Sequence, residues 1–281
     1  MIDLHTHSTC SDGSDSPSEI IRKAHEIGLT AIALTDHDVV DGLEEFQAAA
    51  RQFPDLWAIN GSELAVSHPQ ADIEILALDI KDIAAFKKRQ EMLVKIRDDA
   101  NAERAELLRK VGVEVDLEEI YTDKNGCRRK LVGRPHFAEY LMKKGYVATF
   151  QEAFEKYIGN NCPAYIPKRN PPLRDTIEFI AGHNAVPSLA HPIHTKVDDE
   201  TLLALLKEMK GYGLQGMECY HSDHSPEQIQ KYLGMAQKVG LFSTGGSDYH
   251  GRAHADVKLG IGKGTLNIPD ELLAPFFARK A

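Results

Sequence analysis

One positional regularity constrains this chain more than any other: its metal-type side chains keep falling where short apolar runs end. Ile2, Asp3 and Leu4 read as the end of a short strand that leads into His5 and His7. TAIALTDHD ends in Asp36, His37 and Asp38, and LWAINGSEL ends at Glu63. AVPSLAHP runs into His191, LQGMECYHSDH into His221 and His224, and GLFSTGGSDYHG into Asp248 and His250. Helical signals separate most of these runs. Residues 17–28 open with Pro17 and stop at Gly28, and residues 41–52 and 173–184 also read as helices. Alternating strands and helices predict a parallel sheet with right-handed crossovers. In a (β/α) barrel, active sites assemble at the C-terminal ends of the strands. Residues used only structurally would be scattered over both strand ends and the helix faces. Here they are not.

The HxH pair has its own logic. Side chains alternate along an extended segment, so His5 and His7 share a face and can hold one ion. Two solvated rings paired by chance are the alternative, and the recurrence along the chain counts against it. Asp12 follows in a Ser- and Gly-rich loop, Ser8 to Ser16. With 281 residues the chain is long enough for one α/β barrel. A net charge of −9 makes it a poor binder of duplex DNA. Bound cations could still invert the local charge for a phosphorylated substrate. Cys10, Cys127, Cys162 and Cys219 are scattered, which suggests neither a zinc ribbon nor a disulfide framework. No signal-peptide pattern and no apolar run of spanning length is visible, so a cytoplasmic protein without a membrane partner is expected.

Residues 82–170 break the alternation. They contain no convincing strand and read as several helices. The stretches DKNGCRRKLVGRPH and YIPKRN are basic within an acidic chain. The expected organisation is a barrel from 1–96 and 171–281, with an inserted helical subdomain at 97–170. A basic stretch is ordinarily solvated surface. The alternative is an anion clamp, since Arg grips phosphate bidentately and Lys offers a point charge.

Taken together, HTHSTCSDGSDSP, ALTDHDVVDG, NGSEL, LAHP and STGGSDYHG resemble, in order, the motifs of the PHP (polymerase and histidinol phosphatase) family. VGRPHFAEYL, EAFEKYIG and PAYIPK are similar to the insertion of one branch. That branch comprises stand-alone phosphoesterases acting on nucleoside 3′,5′-bisphosphates and, in some members, on RNA 5′ ends. The resemblance spans nearly the whole chain and implies a distorted (β/α)7 barrel with two to three divalent ions, manganese, iron or zinc. It implies one ion on His5, His7, Glu63 and Asp248, another on Asp12, His37 and His250, and a third on Glu63 and His191. Where the family usually has a further histidine, this chain has Glu74, with His68 on the adjacent loop as an alternative. Asp36 and Asp38 flank His37 and are expected to accept a hydrogen bond that fixes an imidazole.

The implied reaction is phosphate-ester hydrolysis with water activated by the ions. The leaving alcohol needs a proton, from His221, His194 or His224, and the sequence does not choose among them. His25 and His183, on helical stretches, read as structural. A second phosphate would need cations away from the ions. Arg134, His136 and Lys168 match the insertion, and Tyr165 would pack on a base or sugar or in the core. Arg128, Arg129 and Lys130 read as solvated. The expected substrate is a small nucleotide-like phosphate ester, with short RNA as second candidate. A histidinol-phosphate phosphatase and an amidohydrolase are rival readings. The branch of the former lacks the insertion. The latter does not combine Asp12, TDH and a central Glu63 in this way.

Overall fold

The computed structural model describes residues 1–122, 126, 129, 132–167 and 169–277. Cys127, Arg128, Lys130 and Lys168 lie outside the described residues. The chain divides into two compact units: Met1–Lys88 with Asn170–Ala281, and Arg89–Arg169.

The first unit is a seven-stranded α/β barrel whose strands neighbour one another in chain order. They are β1 (Ile2–Asp3), β2 (Ala31–Leu34), β3 (Trp57–Ala65), β4 (Glu74–Leu78), β5 (Val186–Leu189), β6 (Gly216–Tyr220) and β7 (Phe242–Gly245). The ring closes where Leu4 N–H donates to Gly245 O at 3.0 Å and His7 N–H to Tyr249 O at 2.8 Å. Helices α1 (Pro17–Glu26), α2 (Leu43–Ala50), α7 (Leu173–Gly182), α8 (Asp199–Tyr212) and α9 (Pro226–Val239) connect the strands. Their starts are legible in the sequence. Ser16 and Glu19 form a capping box on α1 ahead of Pro17, and Ser225 and Gln228 do the same on α9.

The strand period of two sorts side chains into two cores. Ala31 and Ala33 point inward with Ile2, Leu4, Ile59, Leu76 and Leu78, closed off by Ile268, Leu273 and Phe276. Ile32 and Leu34 point outward against Ile20, Ile21, Phe46 and the other helix faces.

One strand departs from the expected all-parallel sheet. β4 runs antiparallel to both β3 and β5, with Ala65 opposite Glu74 and Ile75 opposite Leu189. Reversal puts the first residue of β4 at the rim where the other strands end. Glu74 therefore reaches the same rim as Glu63 and His191.

The second unit is helical among the described residues. It holds most of α3 (Ile83–Lys110), then α4 (Leu117–Tyr121), α5 (Arg134–Lys143) and α6 (Phe150–Ala153), followed by a π-helical turn at Phe154–Ile158. Leu108, Val113, Phe137, Leu141 and Ile158 form its core. No helix among the described residues is long and apolar enough to cross a membrane.

Gly246 is where the barrel seam requires a glycine, because any Cβ there would overlap the Cβ and backbone nitrogen of His5. Gly246→Ala is expected to lower stability by about 3 kcal/mol, at the upper end of overpacking costs, read as a fall in the melting temperature. A native-like melt would mean that the seam is not close-packed.

Candidate metal centre

Glu63 is wholly buried and imidazoles surround it. His5 Nε2 lies 3.3 Å, His7 Nε2 3.5 Å and His37 Nδ1 3.1 Å from its Oε2, and His191 Nε2 lies 2.8 Å from its Oε1. Asp248 Oδ1 stands 3.2 Å from His7 Nε2 and 3.5 Å from His5 Nε2. Asp12 faces His250 Nε2 at 3.3 Å, His37 Nε2 at 3.6 Å and His7 Nδ1 at 3.8 Å. Glu74 comes within 3.5 Å of His191 Nε2 and 4.0 Å of His37 Nδ1. All nine sequence candidates thus converge. His68 does not join them: it sits in the loop, where its Nδ1 accepts from Gln70 N–H at 3.3 Å.

Local structure explains the convergence. Thr6 faces away between the two histidines and donates its hydroxyl to Ala33 O at 2.7 Å, tying β1's end to β2. Asp248 adopts a left-handed backbone at φ 58°, which is strained for a non-glycine residue, and its N–H donates to His5 O at 2.9 Å. Asp36 does not hold an imidazole, contrary to expectation. It accepts from Ser8 N–H, Ser8 Oγ and Ser11 Oγ at 2.7, 2.6 and 2.5 Å, and so orders the loop that carries Asp12. Asp38 accepts from Ala65 N–H at 3.1 Å, across to the end of β3.

The carboxylate that does fix an imidazole is Glu218, which sequence reasoning passed over. It is buried on β6, accepts from His5 Nδ1 at 3.1 and 3.2 Å, and accepts from His191 N–H at 2.7 Å. With its Nδ1 proton given to Glu218, His5 turns a lone pair on Nε2 toward Glu63. His250 does likewise by donating from Nδ1 to Asp248 O at 2.8 Å. The signal in the sequence is a lone carboxylate in the middle of the apolar run that leads to His221, which the strand-end pattern does not select.

The donor set fits divalent cations. His5 Nε2, both ring nitrogens of His7 and Glu63 Oε2 are buried and make no hydrogen bond. Groups of one ligand atom each, within 4.8 Å of one another, form at His7, Asp12, His37 and His250; at His5, Glu63 and His191; at His5, His7 and Asp248; and at His37, Glu63 and Glu74. Mixed imidazole and carboxylate donors without cysteine suit manganese, iron or zinc. The electrostatics point the same way. Burial alone would raise the Glu63 pKa, yet His5, His37 and His191 hold it well below the usual carboxylate range. Burial opposes charge on His191, but Glu63 outweighs it and lifts the ring to about 9. The cluster attracts positive charge.

Three further histidines flank it. His221 Nδ1 accepts from Asp223 N–H at 3.1 Å, which leaves its proton on Nε2, 3.5 Å from Asp248 Oδ2. His194 is half-exposed, and its Nε2 lies 2.9 Å from Asp223 Oδ2. His224 is turned inward, with Nδ1 on Cys219 O at 2.9 Å, and burial pushes its pKa down to about 4. It therefore stays neutral near pH 7. His25 stacks on Phe53, and His183 Nδ1 bonds Phe179 O at 2.8 Å, both structural contacts.

In the second unit, the Arg134 guanidinium lies 5.7 Å from the Phe154 ring and 5.9 Å from the Tyr165 ring. His136 instead caps α5, its Nδ1 accepting from Gly133 N–H at 3.1 Å. Arg129 reaches Glu139 at 3.2 Å.

Barrel and cluster together define a metal-dependent phosphoesterase. The PHP domain model matches residues 3–240, and the chain belongs to that family. A 3′,5′-nucleoside bisphosphate phosphatase from Chromobacterium violaceum is 32% identical, covering 89% of this chain and 87% of that one. A 5′-3′ exoribonuclease from Haemophilus influenzae is 28% identical over 88% of this chain and 89% of its own. Among solved structures, a Bifidobacterium adolescentis protein assigned as a metal-dependent phosphoesterase superposes with a TM-score of 0.75 at 26% identity, covering 99% of this chain and 96% of that one.

Glu218→Gln is expected to weaken divalent-ion binding by about 10–100-fold, the range typical of losing a partner behind a ligating histidine. Titration against a chelating indicator measures it, and unchanged affinity would remove Glu218 from the centre.

Proposed function

We propose that this protein hydrolyses a phosphate monoester of a small nucleotide, and that its substrate is a nucleoside 3′,5′-bisphosphate losing the 3′-phosphate. The observation that carries the reading is the convergence of His5, His7, Asp12, His37, Glu63, Glu74, His191, Asp248 and His250, with His5 Nε2, both His7 ring nitrogens and Glu63 Oε2 buried at its centre without a hydrogen bond. The bisphosphate relative supports the substrate.

In this reading His5, His7, Glu63 and Asp248 hold one ion; Asp12, His37 and His250 a second; Glu63, Glu74 and His191 a third. Manganese, iron and zinc are the candidates. Bound ions would supply an acidified water, with its pKa lowered toward about 7, and would neutralise charge on the phosphoryl oxygens. Charge balance supports three ions over two. Asp12, Glu63, Glu74, Asp248 and Glu218 contribute five negative charges among these residues. Two divalent ions leave −1 and three leave +1. A phosphate dianion is attracted only in the second case.

The chain's own residues do the rest. Asp36 and Glu218 hold the loop and ring that orient Asp12 and His5. His194, paired with Asp223 and open to solvent, is the proton donor to the leaving alcohol. Arg134 of the second unit, with Lys168, takes the phosphate that stays on the product. Hydrolysis of a 5′-phosphorylated RNA end is the second reading, favoured by the exoribonuclease relative. A cytoplasmic site of action accords with either.

The test is phosphate release, with manganese added, from adenosine 3′,5′-bisphosphate against AMP, histidinol phosphate and a short 5′-phosphorylated RNA. Preference for the bisphosphate is expected. Preference for RNA moves the reading to the exonuclease, and no release from any overturns both. Arg134→Ala should raise KM for the bisphosphate by about tenfold or more, beyond its effect on AMP, as losing a charge-assisted contact implies. Equal loss on both removes Arg134 from the second-phosphate site. His194→Gln should lose about 10²-fold or more in kcat on an alkyl phosphate, the usual share of general acid catalysis, and far less on p-nitrophenyl phosphate, whose leaving group needs no proton. Equal losses would exclude His194 as the donor.

A further inference from the structure

The three corners of the metal cluster are not built alike. At the Asp12 corner one carboxylate faces two rings, His250 Nε2 at 3.3 Å and His37 Nε2 at 3.6 Å. At the Asp248 corner His5 Nε2 and His7 Nε2 face two carboxylates, Asp248 and Glu63. The third corner differs in kind. There Glu63 Oε1 lies 2.8 Å and Glu74 Oε2 3.5 Å from a single ring nitrogen, His191 Nε2.

His37 stands close enough to be counted as a second ring, with Nδ1 3.1 Å from Glu63 Oε2 and 4.0 Å from Glu74 Oε1. Its protonation rules it out. A neutral imidazole has one N–H and one lone pair. With the lone pair on Nε2 serving the Asp12 corner, the proton sits on Nδ1 and points at Glu63. His5, whose proton goes to Glu218, has its lone pair on Nε2 at the Asp248 corner. His68 is away in its loop, and His194 Nε2 is held by Asp223 at 2.9 Å. Among the described residues, His191 is therefore the imidazole donor left to this corner.

The corner is also rich in oxygen by construction. Glu74 is fixed by the sheet rather than by a loop, paired with Ala65 and accepting from Ala190 N–H at 3.1 Å through its backbone oxygen. Its side chain is 32% exposed, against 1% for Glu63, so water reaches this corner. The charge of Asp38 adds to the negative field around Glu74.

We propose that Glu74 makes this corner selective for manganese, relative to the other two, so that the loaded centre is mixed, with zinc or iron on the imidazole-richer corners. Imidazole suits zinc, which takes four close donors, whereas manganese suits carboxylate and water oxygens in octahedral geometry. Zinc outranks manganese in raw affinity at most sites. The selectivity therefore lies in the difference between corners, which is set by their donors. The inference deepens the three-ion reading and rests on it.

The test uses the full chain, stripped by chelation, reloaded with zinc and manganese together and freed of unbound ions by gel filtration. Elemental analysis counts both metals, and electron paramagnetic resonance reports the bound manganese. The native chain is expected to keep about one manganese beside zinc, as a single oxygen-rich corner implies. Glu74→His should lower the manganese-to-zinc ratio by about tenfold or more while the total ion content holds. Glu74→Gln is nearly isosteric and guards against misfolding. Stripped of ions, it should melt like the native chain; reloaded, it should lose the manganese without gaining zinc. A native chain that takes zinc alone overturns the proposal, as does a native metal ratio in either variant. Bisphosphate hydrolysis by an all-zinc chain would leave the enzymatic reading standing without it. A mixed centre with no phosphate release from any nucleotide would do the reverse.

Discussion

A carboxylate buried as completely as Glu63 is the interaction on which the barrel's active rim depends. Taking such a charge out of water costs several kcal/mol unless partners compensate. Its partners arrive from the ends of β1, β2 and β5, with Asp248 just past β7 binding the same imidazoles. No single segment could supply them. Compensating Glu63 and closing the barrel are therefore one requirement. The seam at Gly246 and the His7–Tyr249 backbone bond are where closure brings β1 and β7 together around it.

The reversed β4 extends the same principle. In a parallel barrel only residues after a strand reach the rim, so a residue at a strand's start points to the far end. β4 escapes this by running backwards. Its first residue stands beside Ala65 and accepts from Ala190 N–H at 3.1 Å through its backbone oxygen. Glutamate at this position brings a negative charge where an imidazole would bring none. Burial and the nearby Glu63 charge raise the Glu74 pKa, a conflict that a cation at this corner relieves.

The far nitrogens of the imidazoles matter as much as the near ones. An imidazole that spends its only proton on an outer acceptor must offer a lone pair inward. Glu218 imposes that on His5, and Asp248 O on His250. Glu218 also anchors the His191 backbone. One buried carboxylate that need touch no ion thereby orients two of the donors that converge on Glu63.

This separates what the sequence made legible from what it hid. A strand-end position is a local property, so apolar runs ending in His, Asp or Glu point to His5, His7, His37, Glu63, His191, Asp248 and His250, while Asp12, in a loop, and Glu74, at the start of a run, follow only from the family resemblance. The outer partners are long-range properties. Glu218 meets His5 across 213 residues of chain, and Asp36 meets Ser8 and Ser11 from the neighbouring strand. Nothing in either local stretch tells whether a carboxylate faces an imidazole or a serine loop, which is why Asp36 departs from its expected role. Arg104 was hidden differently. On a long charged helix an arginine is ordinarily solvated, and what distinguishes it is burial against a neutral acceptor, Asn101, in place of a carboxylate. What sequence patterning misses here is therefore the charge that its neighbours leave uncompensated, and such charges are where a ligand has work to do.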